Sequence, residues 1–398
     1  MYKSKIIKNS NRDRILECIY PNPGISRKEI SDFTGITPAT VTTTVALMVK
    51  EEIIFELGEI EESKKSQGRR KIALDINPSY GCVIGIEFTI NQLTICATDL
   101  KGEILYTDSS PHTEIIGKNI TEELISRIKN CENSIGKWKE KILGLGIAVP
   151  GHMDEQKKRL ICSRTTWRNF DGEKIRDICS YPVVFENNVR CMAVAKYLMD
   201  PLNTPSNFAL FHVGYGMFCA NIAEDELYVG TTYGSGEISH SIAVPDGKKC
   251  GCGRRGCLQT VASEEALLES AATIFLNDKN SLLHNFVADP QDLNIYHIIK
   301  AYSMGDFAVR YIVSHALKYL TIAILNISIL MNPEKLFLHG RLFNNKEIRE
   351  ELLKMTQELL KFPNHTYKLG AVEAYESKTT DGAVGAASLA ILKCICNA

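Results

Sequence analysis

His240 and the run Cys250-Gly-Cys252-Gly-Arg-Arg-Gly-Cys257 constrain this chain more than any other stretch. Three thiols within eight residues can wrap one soft cation, and a histidine ten residues upstream completes a set of four. Closed structural zinc sites draw such tetrahedral sets from Cys and His. The interleaved glycines let the backbone turn tightly, because they adopt positive φ at no steric cost. Thiols can also be plain core hydrophobes, but core cysteines have no reason to alternate with glycine. The spacing predicts a structural zinc clip made of His240, Cys250, Cys252 and Cys257.

The 398 residues allow two or three domains. A composition of 44% hydrophobic and 23% charged residues is that of a globular protein. Residues 1–8 lack the apolar core of a signal peptide. No run of about eighteen apolar residues appears, so no membrane partner is expected. The 13 cysteines, Cys18, Cys82, Cys96 and Cys131 among them, are an odd, scattered set that suits a reducing cytoplasm. A net charge of −1 indicates no polyanionic partner for the chain as a whole. Residues 1–75 carry 13 Lys and Arg against 11 Asp and Glu, a sign compatible with contact to phosphates.

Asn11 to Tyr20 reads as an amphipathic helix with Ile15, Leu16 and Ile19 on one face. Pro21-Asn-Pro-Gly24 breaks it, and Ser26-Arg-Lys-Glu29 is a capping box that opens a second helix through Phe33. Gly35 ends that helix. Thr37-Pro38 starts a third, with proline where its missing N–H costs nothing. Val41, Val45 and Met48 face inward, leaving the threonines free. Helix, glycine turn and a helix that opens on small hydroxyl residues form a helix-turn-helix, whose second helix enters the major groove. Ile53 to Glu59 and Lys71 to Ile76 predict a two-stranded wing with a basic tip at Lys64-Lys-Ser-Gln-Gly-Arg-Arg70. The expected contacts to operator DNA are Ser26, Arg27, Thr37, Ala39, Thr40, Thr42, Thr43, Arg69 and Arg70. Glu59, Glu61 and Glu62 would repel DNA, so that part of the wing should face away.

After Asn77-Pro78 the pattern becomes α/β. Cys82–Ile86, Leu93–Ala97 and Glu103–Tyr106 predict a meander, Ile120–Cys131 a helix, Ile142–Val149 a buried strand, Val183–Phe185 a strand and Val189–Met199 a helix. A second meander starts at Phe208–Val213. Helices follow at Glu264–Phe275 and Ala308–Met331, then a strand at Leu336–Leu338 and a closing helix at Asp381–Leu392. The repeated order suggests two similar lobes across a cleft that takes a small ligand.

Gly234-Ser-Gly-Glu-Ile-Ser-His240 with the cysteine run through Gln259 resembles the ROK family of repressors, open reading frames and sugar kinases. The resemblance extends to the front module, Gly-Ile-Ala-Val-Pro-Gly151, Glu186-Asn187, Leu-Met-Asn-Pro-Glu-Lys-Leu-Phe-Leu-His-Gly340 and Asp381-Gly-Ala-Val-Gly-Ala-Ala387. It implies a winged helix-turn-helix (residues 1–76) followed by a two-lobed actin-like, ribonuclease H-like domain (77–398) with a zinc knuckle at 240–257. It further implies that sugar hydroxyls meet Asn187, Asn188, Glu237, His240 and Gln259. Amides suit polyols because they donate and accept at once. Trp167 is a candidate ring face for the sugar, or else core.

Departures from the kinases of that family are specific. The aspartate that takes the proton from the attacking hydroxyl is matched by Asn188, whose amide cannot act as a base. The glycine-rich phosphate hairpin is matched by Glu87-Phe-Thr-Ile-Asn-Gln92, with no glycine. A second phosphate loop is matched by Gly214-Tyr-Gly-Met-Phe-Cys-Ala220, and a glycine pair near adenosine by His339-Gly340. The expectation is a regulator without ATP or catalysis, binding operator DNA and a sugar or sugar derivative as a homodimer or homotetramer. A sugar kinase carrying an extra DNA-binding domain is the alternative.

Overall fold

Local signals start and stop each helix of the front module. α1 (Asn11–Ile19) opens on a capping box between Ser10 and Asp13, and α2 (Arg27–Thr34) on one between Ser26 and Glu29. Each box satisfies backbone N–H groups that a helix start leaves without partners. Gly35, at φ +68°, ends α2 in the left-handed conformation. α3 (Pro38–Lys50) follows, capped by Thr37 with proline in its first turn. Ile15, Leu16, Ile19, Ile30, Val41, Val45 and Met48 are fully buried. The helical spacing in the sequence is therefore the spacing of one small core, in which each large side chain contributes about 1.5–3 kcal/mol. β1 (Ile54–Glu59) and β2 (Ile72–Ile76) pair antiparallel as the wing, with a register shift between Glu56 and Gly58. The computed structural model describes residues 10–59, 71–90, 92–111, 119–154, 159–161, 167, 169–360 and 369–396. The wing tip, with Glu61, Glu62, Arg69 and Arg70, lies outside them.

Two compact units divide the chain, one formed by 1–204 with 379–398 and the other by 205–378. The first unit holds the front module and a five-stranded sheet. Its strands β3 (Cys82–Phe88), β4 (Gln92–Asp99) and β5 (Ile104–Pro111) form the predicted meander. α4 (Ile120–Ser134) leads to β6 (Ile142–Val149), which lies parallel to β3. A small hairpin, β7 (His152–Asp154) with β8 (Arg159–Ile161), and α5 (Gly172–Ile178) precede β9 (Val183–Asn187), parallel to β6, and α6 (Asn188–Met199). The order is β5-β4-β3-β6-β9. Cys82, Ile84, Ile86 and Phe88 pack with Ile120, Leu124 and Ile128 on one face, which is why alternate residues of β3 share one cluster.

The second unit repeats the scheme. β10 (Phe208–Val213), β11 (Met217–Ala223) and β12 (Glu226–Tyr228) form a meander. The helices α7 (Gln259–Ala262), α8 (Glu264–Asn277), α9 (Ile295–Ser303) and α10 (Phe307–Met331) follow. β13 (Lys335–His339) runs parallel to β10, α11 (Lys346–Leu359) crosses over, and β14 (Ala371–Ala374) runs parallel to β13. The order β12-β11-β10-β13-β14 matches that of the first sheet strand for strand. α10 has the length and composition of a membrane span. Val309, Val313, Ala316, Leu320 and Ile324 nevertheless lie in the core of this unit.

α12 (Asp381–Ile391) returns to the first unit and packs on β3, β6 and α6. Its approach is set by missing side chains. A Cβ at Gly85 would fall 2.0 Å from the Ala383 carbonyl oxygen, and one at Gly146 would fall 1.8 Å from that of Ala386. The Gly-Ala-Val-Gly-Ala-Ala run is small because helix and sheet backbones nearly touch. Beyond α12, Leu392–Cys396 forms a single π-helical turn that packs against α1.

Candidate functional site

The knuckle is shaped by hydrogen bonds that only glycine-bearing turns allow. The Cys250 N–H donates to the Arg254 carbonyl at 2.8 Å, and the Gly253 N–H returns to the Cys250 carbonyl at 2.9 Å. Gly256 has φ +70°, and a Cβ there would fall 1.6 Å from the Val244 carbonyl oxygen. These turns bring His240, Cys250, Cys252 and Cys257 together with all four ligand atoms within 4.8 Å of one another. His240 Nδ1 lies 3.6 Å from Cys250 Sγ, and Cys252 Sγ lies 3.6 Å from Cys257 Sγ. Two thiolates bound tetrahedrally at the zinc–sulfur bond length sit about 3.8 Å apart, so the cluster has the size of a zinc shell. The N–H of Arg254 holds the Cys252 thiol down at about 7, whereas burial and the neighbouring thiols push Cys257 up to about 12. A divalent cation supplies the charge that lets such a set ionise together.

His240 is half-buried and presents Nδ1 to the cluster, which leaves Nε2 as an N–H donor once Nδ1 is ligated. Glu237, exposed, stands just before it, and its carbonyl accepts from the His240 N–H at 3.1 Å. Gly236, at φ +101°, seats this segment on the Cys219 carbonyl, where a Cβ would come within 2.4 Å. Gln259, half-buried, opens α7 directly after the last cysteine and the buried Leu258. The Cys/His cluster and these candidate sugar ligands are therefore one local structure of the second unit.

In the first unit the candidate residues sit where β9 meets α6. Asn187 is buried, and its Oδ1 accepts from the N–H groups of Val189 and Arg190 while its Nδ2 donates to the Gly151 carbonyl. It is a helix cap that ties down the Pro150-Gly151 strand end. Asn188 is half-buried and donates from Nδ2 to Glu87 Oε1 at 3.2 Å. Trp167 is 3% exposed and meets Phe88 edge to face at 5.1 Å, so it belongs to the core.

The front module presents the opening of α3 to solvent. Thr37, Ala39, Thr42 and Thr43 are exposed and Thr40 is half-buried. The hydroxyls of Thr42 and Thr43 donate to the carbonyls of Pro38 and Ala39, and those of Thr37 and Thr40 pair at 2.9 Å. The first two bonds occupy the hydroxyl protons of Thr42 and Thr43 within the helix itself. Arg27 pairs with Glu56 of the wing at 2.8 Å. Ser26 requires a correction. It is 2% exposed, and its hydroxyl is engaged in the capping box with Glu29, so it faces no solvent-side partner. Arg69 and Arg70 lie outside the described residues.

Sequence reasoning missed a cluster at the ends of β10 and β13, half-buried at His212 and buried at His339. His212 Nδ1 and His339 Nδ1 lie 2.8 Å apart, and Tyr375 packs on the His339 ring at 5.1 Å. Burial, then the neighbouring His339 and Arg341, hold His212 well below the usual imidazole range. Glu264, 3% exposed at the start of α8, is pushed up to about 7 by burial. Its N–H donates to the Gly214 carbonyl, within the segment that replaces the second phosphate loop. Neighbouring strands place two imidazoles where separated sequence positions gave no sign of contact.

Comparison with known proteins covers both parts of the chain. The ROK family profile matches residues 83–393, and a winged helix-turn-helix DNA-binding profile matches residues 9–54. The xylose repressor of Bacillus spizizenii is 29% identical over 341 residues, covering 85% of this chain and 84% of that one. The crystal structure of a ROK family transcriptional regulator, a homologue of the E. coli MLC protein, superposes with TM-score 0.76 at 22% identity, covering 97% of each chain. A ROK family glucokinase from Streptomyces griseus, solved with glucose and AMPPNP, superposes with TM-score 0.65 at 21% identity, covering 78% of this chain and 99% of that one.

Proposed function

Because the chain belongs to the ROK family, we propose that it is a sugar-responsive, DNA-binding transcriptional repressor of carbohydrate-utilisation genes and not an enzyme. One observation carries this reading: a winged helix-turn-helix precedes a ROK domain. In addition, the resemblance to the kinases of the family puts Asn188 where they carry the catalytic base. A carboxamide cannot take up a hydroxyl proton, and loss of such a base lowers a rate by about two to four orders of magnitude. The repressor relative spans most of this chain, in line with the same reading.

The opening of α3 supplies the surface that reads base edges, through Thr37, Ala39, Thr40, Thr42 and Thr43, with Arg27, Arg69 and Arg70 directed to phosphates. We assign recognition of the sugar's hydroxyls to Asn188, Glu237, His240 and Gln259, with Asn187 holding the strand end in place. His240, Cys250, Cys252 and Cys257 would hold a zinc ion as a closed set of four protein ligands, a structural role that would fix the His240 ring and the start of α7. The protein works in the cytoplasm as a homodimer or homotetramer, and its two-fold symmetry matches a pseudo-palindromic operator. Binding of the sugar lowers operator affinity only if it binds the DNA-free state more tightly. About 1.4 kcal/mol of such preference gives a tenfold effect.

Gel shifts with DNA from the flanking promoter region, across a panel of monosaccharides, test this directly. One sugar is expected to weaken the complex at least tenfold. DNA binding indifferent to every sugar would sink the effector role, and measurable ADP release with any hexose would sink the assignment as a non-enzyme.

A further inference from the structure

Glu87 is the next-to-last residue of β3, a central strand paired with β4 and β6. It opens the hairpin that lacks the glycines of a phosphate-binding loop, and its carboxylate reaches two helix starts. One is α6, whose first residue Asn188 donates from Nδ2 to Glu87 Oε1 at 3.2 Å. The other is α12, whose second residue Gly382 has no side chain because a Cβ there would fall 2.0 Å from the Glu87 carboxyl carbon. Both helix ends carry the partial positive charge that otherwise attracts a bound anion. Here a side chain of the protein already holds that place.

The contact also sets the sense of the Asn188 amide. A carboxylate only accepts hydrogen bonds, so the NH2 group must face Glu87 and the carbonyl Oδ1 must face away. The reverse orientation would set two oxygens against each other. Asn188 therefore offers an acceptor to any ligand, and it does so beside a fixed negative charge. A sugar hydroxyl can donate to that oxygen. A phosphate or carboxylate group has no proton to give and meets like charge, with unfavourable desolvation added.

We propose that Glu87 makes this a site for an uncharged monosaccharide, acting as a charge filter that rejects the same sugar once its contacting hydroxyl is phosphorylated or oxidised to an acid. Glu87 is a specificity-determining residue that acts through Asn188. The proposal rests on the assignment of Asn188 to sugar recognition made above.

The test is calorimetric titration of the full-length protein, in magnesium-free buffer, with D-xylose, D-glucose and N-acetyl-D-glucosamine and with the terminal phosphate ester of each. The wild-type protein should bind at least one free sugar and bind its ester at least tenfold more weakly. Glu87→Gln, confirmed as folded by a cooperative thermal melt, should narrow that gap at least threefold, mainly through gain of the ester. A wild-type protein that binds an ester as tightly as the free sugar overturns the charge filter while leaving the sugar response intact. Binding of neither form of any sugar overturns the underlying assignment and the filter with it. A folded Glu87→Gln that leaves the gap unchanged overturns the role of Glu87. Should that variant fail to fold, Glu87→Asp, which keeps the charge and should keep the gap, is compared with Asn188→Ala, which removes the acceptor and should narrow it.

Discussion

Cys252 is the exposed corner of the Cys/His cluster, while Cys250 and Cys257 are buried. Cys252→Ser removes one thiolate without opening a cavity, so its effect falls on the metal more than on packing. Zinc content should fall from about one ion per chain toward none, and the response to the effector should be blunted while DNA is still bound. A zinc-free variant that responds normally would break the proposed link between knuckle and sugar ligands. Glu264 gives a pH signature of its own. The folded chain keeps its proton up to about 7, against 4.5 for an ordinary glutamate. The folded state binds more protons across that window, so its stability falls as pH rises through it. Glu264→Gln should raise the melting temperature at pH 8, by an amount on the order of 2–3 kcal/mol in stability, with the gap narrowing toward pH 5. A gap that does not vary with pH would refute this account. At this scale the sequence was readable where partners are neighbours. The knuckle ligands lie within eighteen residues of one another, whereas His212 and His339 meet only because β10 and β13 run side by side. Ser26 is kept from the surface because it is buried and its hydroxyl proton goes to Glu29 within the capping box.

Among the elements, α12 shows how a helix can be specified by what its neighbours lack. Gly146→Ala would place a methyl group 1.8 Å from a backbone oxygen of α12, which no rotamer change can relieve. Such overpacking should cost about 1–3 kcal/mol or more in chemical denaturation. Gly251→Ala serves as the comparison, because nothing lies within 4 Å of a Cβ there. Equal losses at both sites would show that the helix approach is not what Gly146 secures. The strand around Gly146 was legible as an apolar run, but the reason for its glycines was not, because α12 comes so much later in the chain. α9 and α11 went unread although both are amphipathic. α11 buries Ile348, Leu352 and Thr356 at intervals of four on an otherwise charged surface, which is helical periodicity.

In the whole molecule, the repeated meander, helix and strand order was visible before any coordinates, and both sheets carry it in the same strand order. What linear order hid is which segment completes which unit. The first unit takes residues from both sides of the second, and α1 packs against the turn at Leu392–Cys396. Asp13 and Glu17 of α1 both bear on the buried Cys396. Seen in time, the DNA-reading head leaves the ribosome long before the turn at Leu392–Cys396 on which α1 is seated. The entire second unit is translated between α1 and its packing partner, a delay on the order of tens of seconds at ordinary synthesis rates. Until then the head has its own small core but not its final support, and an interrupted chain would carry recognition helices without their mooring. The seating of α1 is thereby tied to completion of the second unit.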